Sequence, residues 1–316
     1  MKFSDTDLGI YVSNKLALPG DERNEYRAQV GRLLDTLDAV LSGDGSYEVK
    51  KFRRAGSLEK GTSNRPRAGR AVDADVGVYF KVDDPSNFDI ATLQRLIKTL
   101  LIAAYPQKRQ EDFDDSGSRT FGVVFKGSGL EVDLAPIVAL DAESNYGLQY
   151  SRAGGRVKTS VKVHIEHYRD HSARDPLLAS TLRLAKRWCY WKELDGISSF
   201  HLELVLSYLI DRDGPASGLE EGLRRFFLFI MRDLTRGVVF EGGNTCRFSD
   251  AIVILDPANS ENNVAARVER TERDAFVAAA RTAFETITWA QVLPGKGETV
   301  SLWKELFGDN FSIDQD

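Results

Sequence analysis

A chain of 316 residues, 42% of them hydrophobic, has room for one large domain or two closely joined ones around a substantial core. Its 42 Lys and Arg against 47 Asp and Glu leave a formal charge of −5. That makes the chain a poor candidate for an indiscriminate nucleic-acid binder with a broad basic face, but leaves room for a local cluster that takes a small anion such as a nucleoside triphosphate. Two distant cysteines, Cys189 and Cys246, and four histidines supply neither a disulfide framework nor a zinc-ligand spacing. The opening MKFSDTDLGI is not signal-like and no apolar run is long enough to span a bilayer, so a cytoplasmic protein without a membrane segment is expected.

In chain order, residues 22–41 space apolar side chains at helical intervals, with Val30, Leu33, Leu34, Leu37 and Val40 in one stripe. A Gly-Asp-Gly break at 43–45 follows, then a strand over 47–52 that turns at Gly56. Residues 61–71 form a polar loop rich in Gly, Pro and Arg. A strand is expected over 73–82, a helix over 93–105, and two strands, 119–125 and 129–138, around a short glycine-containing turn. From about residue 175 the pattern becomes helical, over 177–193, 199–209, 219–234 and 262–291. An α+β half, residues 1–174, is therefore expected before a helical half, 175–316, with no flexible linker between them. The tail after Leu306 reads as short, acidic and loose.

The acidic residues within the strands carry the chemistry. Asp73 and Asp75 stand two apart, so in a strand both point to one side. Like charges held that close are destabilising unless a cation lies between them, and an all-oxygen set suits Mg²⁺ or Mn²⁺. Read alone, such a pair is more often an ordinary surface carboxylate pair at a strand entry than a metal site. Asp133, in Leu130-Glu131-Val132-Asp133-Leu134, alternates with apolar neighbours and shares its side of the strand with Glu131 and Ala135. A bound cation would explain a carboxylate there, and so would a wet edge strand. Gly56 and Ser57 form a turn whose backbone N–H groups and hydroxyl can cradle a phosphate. Together, a phosphate turn, two carboxylates on one strand and a third on a neighbour can hold two cations roughly 4 Å apart.

Gly56-Ser57, Asp73-Ala74-Asp75 and Leu130 to Leu134, in this order and spacing, resemble the nucleotidyltransferase superfamily of DNA polymerase beta. Three later stretches narrow the resemblance: Leu182-Arg183-Leu184-Ala185-Lys186-Arg187-Trp188, Ser198-Ser199-Phe200-His201, and Asp256-Pro257-Ala258-Asn259 followed by Asn262-Asn263. With them the chain is similar to the bacterial cGAS/DncV-like nucleotidyltransferases of antiphage CBASS systems, over roughly residues 22–292. The resemblance implies a polymerase-beta-like core packed against a helical domain, with the active site in the cleft between them. It implies Asp73, Asp75 and Asp133 as ligands of two divalent ions, Gly56 and Ser57 on the donor triphosphate, and Lys186 and Ser199 as further nucleotide contacts. Ribonucleoside triphosphates would be the substrates and a cyclic di- or trinucleotide the product, read by a separate effector, and a regulatory protein partner is implied as well. The region 146–168 lacks the tryptophan and Asp-Pro pair common in such relatives, so base preference does not carry over.

Other readings of the residues stay open at this point. Arg183, Lys186 and Arg187 form a local basic cluster, or an ordinary solvated helix face. Trp188, Trp191 and Phe200 are expected to pack in the core rather than stack on bases. Asp256-Pro257 reads as a joint before the last long helix, with Ser260, Asn262 or Asn263 as its cap. An RNA-extending nucleotidyltransferase, a linear oligoadenylate-type synthase and an inactive scaffold are the alternatives. The absence of Gly-x-Gly-x-x-Gly and of a P-loop sets aside NAD and Walker-type enzymes.

Overall fold

A computed structural model of the chain describes residues 4–44, 48–66, 69–85, 88–114, 120–140, 145–150 and 155–313. Gly45, Tyr47, Arg67, Ala68, Arg119 and residues 151–154, all within stretches read above, lie outside the described residues, as do residues 314–316. The chain divides into two units: Leu18–Glu166, and Met1–Ala17 with His167–Asp316.

The unit Leu18–Glu166 is built on a seven-stranded mixed sheet. Its strands are β1 (Glu48–Ala55), β2 (Val72–Lys81), β3 (Phe113–Asp114), β4 (Phe121–Phe125), β5 (Leu130–Ala139), β6 (Gly147–Tyr150) and β7 (Arg156–Thr159). The main order is β1-β2-β5-β4-β3, with β6 and β7 continuing from β5, and β2 and β5 run parallel while the other pairs are antiparallel. Period-2 alternation gives the sheet two unlike faces. Val72, Ala74, Val76, Val78 and Phe80 of β2, with Leu130, Val132 and Leu134 of β5, are buried against α2 (Gly20–Asp44) and α4 (Ile90–Ala104). In α2 the expected stripe does this work, with Val30, Leu33 and Leu37 buried and Leu34 and Val40 half-buried against the same core. Each such buried aliphatic side chain contributes about 1.5–3 kcal/mol. The other face carries Asp73, Asp75, Gly77 and Tyr79. A short helix, α3 (Gly56–Lys60), follows β1 directly.

In the second unit α1 (Asp5–Tyr11) runs on through a wider turn, Val12–Leu16. It joins α6 (Leu178–Trp191), α7 (Ser199–Asp213), α8 (Leu219–Arg232), α9 (Arg270–Val292) and α10 (Lys296–Phe307); α5 (Val161–Arg174) spans the boundary between the units. Trp188 is fully buried, with its ring edge-on to Phe226 and Phe227 and tilted against Phe276. Phe200 packs at the edge of the same core. Trp191 departs from expectation: it is 38% exposed, lying beside the Arg187 guanidinium. The tail is also not loose where it is described. Phe311 is fully buried, stacks with Trp303 and meets Phe307 and Tyr11 at a tilt, which ties the C-terminal segment to α1.

The last long helix does not start at 262. Residues Asn259–Asn263 form a strand, β9, paired with β8 (Leu255–Asp256). The Asn263 side chain accepts from the Ile254 and Ala265 N–H groups, and Asp256 accepts from Ala258 N–H and Asn262 Nδ2. These side chains build the hairpin, and Ser260, Asn262 and Asn263 all stand well before the N-cap of α9, Glu269, so none of them caps it. That helix begins at Arg270, where Glu272 reaches back to the Glu269 N–H at 2.8 Å.

Candidate active site

The parallel register of β2 and β5 sets Asp75 opposite Asp133 and Asp73 opposite Glu131. On the other side of β2, Ala55 of β1 is opposite Asp75, so the turn that leaves β1 lands beside that carboxylate. Gly56 has φ +68°, and a Cβ built there would lie 1.8 Å from Asp75 Oδ2. Only glycine suits this position, for its backbone and for the space the carboxylate needs. Gly122 on β4 plays the same part for Asp133: it lies opposite in register, and a Cβ there would meet Asp133 Oδ1 at 2.8 Å and Asp114 Cβ at 3.3 Å. Two glycines thus make room for two aspartates.

The cost of this arrangement shows in its electrostatics. Asp133 is pushed up to about 6, first by desolvation and then by Asp75, Glu131, Asp73 and Asp114. Asp73 is also raised, by desolvation against the pull of Arg70, although its side chain keeps a solvent-exposed surface. Glu131 is raised by desolvation, Asp73 and Asp114. Glu131 and Asp114 therefore belong to the acidic group, and the sequence reading assigned neither. Glu131 shared the face of Asp133 in that reading, but Asp114 is brought in only by the β3–β4 pairing. Among the described residues no three such side chains already stand at metal-ligand geometry. The donor chemistry nonetheless fits a hard divalent cation: the site is all oxygen, and its mutual repulsion is what a cation relieves.

The turn itself is held from behind. Leu58 is buried in the sheet unit's core. Gly61, with φ +69°, closes α3, and the Thr62 N–H donates to the Ser57 carbonyl at 2.8 Å. Arg27 of α2 donates Nε to the Leu58 carbonyl at 3.2 Å and Nη2 to the Glu59 carbonyl. A five-residue helix is not stable by itself, so these restraints fix its geometry. The Ser57 hydroxyl lies 3.0 Å from that of Ser63.

No protein-family model matches the chain. It is 33% identical to the CBASS oligonucleotide cyclase CdnC of Escherichia coli (strain KTE188), over 99% of each protein. It is 30% identical to the cyclic AMP-AMP-AMP synthase of Escherichia coli (strain MS 115-1), over 95% of each. The chain belongs to the CBASS oligonucleotide cyclases. Among solved structures, E. coli MS115-1 CdnC with ATP superposes with a TM-score of 0.85 at 29% identity, covering 98% of this chain and 99% of that one. The same protein in complex with HORMA-deltaN gives 0.84, with 98% of each covered. Membership makes the protein an enzyme, a nucleotidyltransferase that joins nucleotides into cyclic oligonucleotides in antiphage defence.

Of the cyclase's seven expected site residues, the structure gathers five: Gly56, Ser57, Asp73, Asp75 and Asp133 all belong to the sheet unit around the start of α3. Lys186 and Ser199 belong to the helical unit. Lys186 is half-buried on α6. The basic cluster around it is not a single solvated face. Arg183 is buried, and Arg187 donates Nε to the Phe307 carbonyl at 2.6 Å. Ser199 is exposed in the first turn of α7, whose cap is Ser198: its hydroxyl accepts from His201 N–H at 3.2 Å, and the His201 ring accepts from Ser198 N–H. Among the described residues no helix is long and apolar enough to cross a membrane.

Proposed function

We propose that Asp73, Asp75 and Asp133 hold two divalent ions, Mg²⁺ or Mn²⁺, and that Gly56 and Ser57 bind the donor triphosphate beside them. The observation that carries this reading is the in-register placement of Asp75 and Asp133 on parallel strands, with the Gly56 backbone against Asp75. When bound, the ions supply charge neutralisation and an acidified hydroxyl. The chain's own part is positioning. A ribose hydroxyl of one nucleotide forms a bond to the donor's α-phosphorus, the bond to the β-phosphate bridge breaks, and pyrophosphate leaves. The resemblance adds Lys186 and Ser199 as contacts for the nucleotide.

ATP is the proposed substrate, since one similar protein is a cyclic AMP-AMP-AMP synthase and another was solved with ATP. A HORMA protein is the proposed regulatory partner, by the complex formed by the E. coli relative. We place the enzyme in the cytoplasm, where its triphosphates are. The test is incubation of the purified chain, alone and with such a partner, with all four ribonucleoside triphosphates and Mg²⁺ or Mn²⁺. After phosphatase treatment, mass spectrometry should find a resistant species with one phosphate per nucleoside, made from ATP. Linear oligomers only would favour an oligoadenylate-type synthase, and products requiring added RNA would favour a primer-extending enzyme.

A further inference from the structure

The hydroxyl of Ser57 is not alone in the sheet unit, and its neighbour explains how it is aimed. Ser63 is only 5% exposed, and its hydroxyl oxygen lies 3.0 Å from that of Ser57. Its position is fixed by the main chain on both sides. The Ser63 carbonyl accepts from Leu18 N–H at 3.2 Å, and the preceding residue, Thr62, donates its N–H to the Ser57 carbonyl. Leu18 and Thr62 are themselves buried, so this strap does not depend on solvent-exposed bonds.

We propose that Ser63 is a positioning residue that orients the Ser57 hydroxyl as a donor toward the phosphate of the incoming nucleotide. This rests on the assignment of Ser57 to the donor triphosphate. A serine hydroxyl has one proton and two lone pairs. When Ser57 gives its proton to a phosphate oxygen, its own oxygen is left as an acceptor facing Ser63, whose proton fills that place. The two hydroxyls and the phosphate then form a chain in which each bond polarises the next. Without Ser63 the Ser57 hydroxyl loses this partner, and its donor direction must be fixed at the moment of binding. The strap through Thr62 and Leu18 uses main-chain groups, so removing the Ser63 side chain leaves it intact.

The test is a double-mutant cycle read by calorimetry, using an ATP analogue with carbon between the α- and β-phosphates, which binds but does not transfer. Wild type, Ser57→Ala, Ser63→Ala and the double variant are titrated in the presence of Mg²⁺. Ser63→Ala should weaken binding about five-fold, the scale of one net neutral hydrogen bond. The double variant should bind no worse than Ser57→Ala alone, because Ser63 acts only through Ser57. Ser63→Thr, which keeps the hydroxyl, should bind as wild type does, while Ser63→Val, of matching bulk, should behave as Ser63→Ala. Turnover should show the same loss in KM rather than in kcat. Additive losses in the double variant, or wild-type binding by Ser63→Val, would overturn the proposal and leave the assignment of Ser57 standing. Unchanged binding by Ser57→Ala would overturn both.

Discussion

The sheet unit and the helical unit spend their charged residues differently. In the sheet, five carboxylates stand on neighbouring strands on the face turned away from the buried helices, and burial together with the neighbouring carboxylates raises the proton affinity of Asp133 and Glu131. In the helical unit, charged side chains that look like a binding cluster are drawn into the fold: Arg183 is buried and Arg187 ties down the last helix. Charge that destabilises its surroundings marks a site, whereas charge satisfied by its own chain marks a joint.

The largest expected effect lies on the sheet side. Replacing Asp73 and Asp75 together with Ala should abolish nucleotide transfer while circular dichroism shows an intact fold. Metal-free stability should hold or rise, because like-charge repulsion is relieved. Near-normal turnover would remove the metal assignment and with it the contrast between the units.

On the helical side the counterpart is Trp188→Ala, which empties a site among Phe226, Phe227 and Phe276. It should cost about 3–5 kcal/mol in chemical denaturation, and any loss of activity should follow the loss of folded protein. Lys186→Ala sharpens the comparison, since Lys186 is the charged one of the helical unit's two candidate nucleotide contacts. A charge-assisted contact to phosphate would cost about 1.5–3 kcal/mol in nucleotide affinity with little change in melting temperature. Unchanged affinity would place Lys186 with Arg183 and Arg187 as part of the packing.

The smallest effect is a pH dependence. Asp133 in the folded, metal-free protein is pushed up to about 6 from 3.8, so the folded state binds its proton more tightly than the unfolded chain does. The stability this contributes is full below 3.8 and is lost as pH rises toward 6. Allowing for solvent screening of a partly exposed carboxylate, the loss is about 1 kcal/mol. It should appear as a difference between wild type and Asp133→Asn in melting curves taken with chelator from pH 4 to 7. Added Mg²⁺ should offset it above pH 6 in wild type only. Parallel curves for the two proteins would show that burial and the neighbouring carboxylates do not raise Asp133 in the metal-free fold.

Much of this was readable in the linear chain, for a definite reason. A strand has a period of two, so Asp73, Asp75 and Asp133 could be assigned to a face from local alternation, and Val76, Val78 and Phe80 to the core. The stripe in α2 was readable in the same way. What could not be read locally was whatever depended on a partner far along the chain. Asp114 joins the acidic group because β3 pairs with β4. Gly122 matters because it lies across from Asp133. A glycine inside a strand was the one available signal for it. The end of β9 reads locally as the cap and start of the last long helix, since Asn and Ser serve both as caps and as turn-building side chains.

The amino-acid sequence by itself determined the type of chemistry: which side chains are oxygen donors, their spacing along each strand, and the glycine-serine turn ahead of them. Tertiary structure decided which of them meet. Parallel pairing of β2 with β5 brings Asp133 to Asp75, and the bonds from Arg27 and Ser63 hold the Ser57 turn beside them. Propensity and periodicity act over a few residues, whereas strand register and the contacts of a buried hydroxyl are fixed only when distant segments share one core.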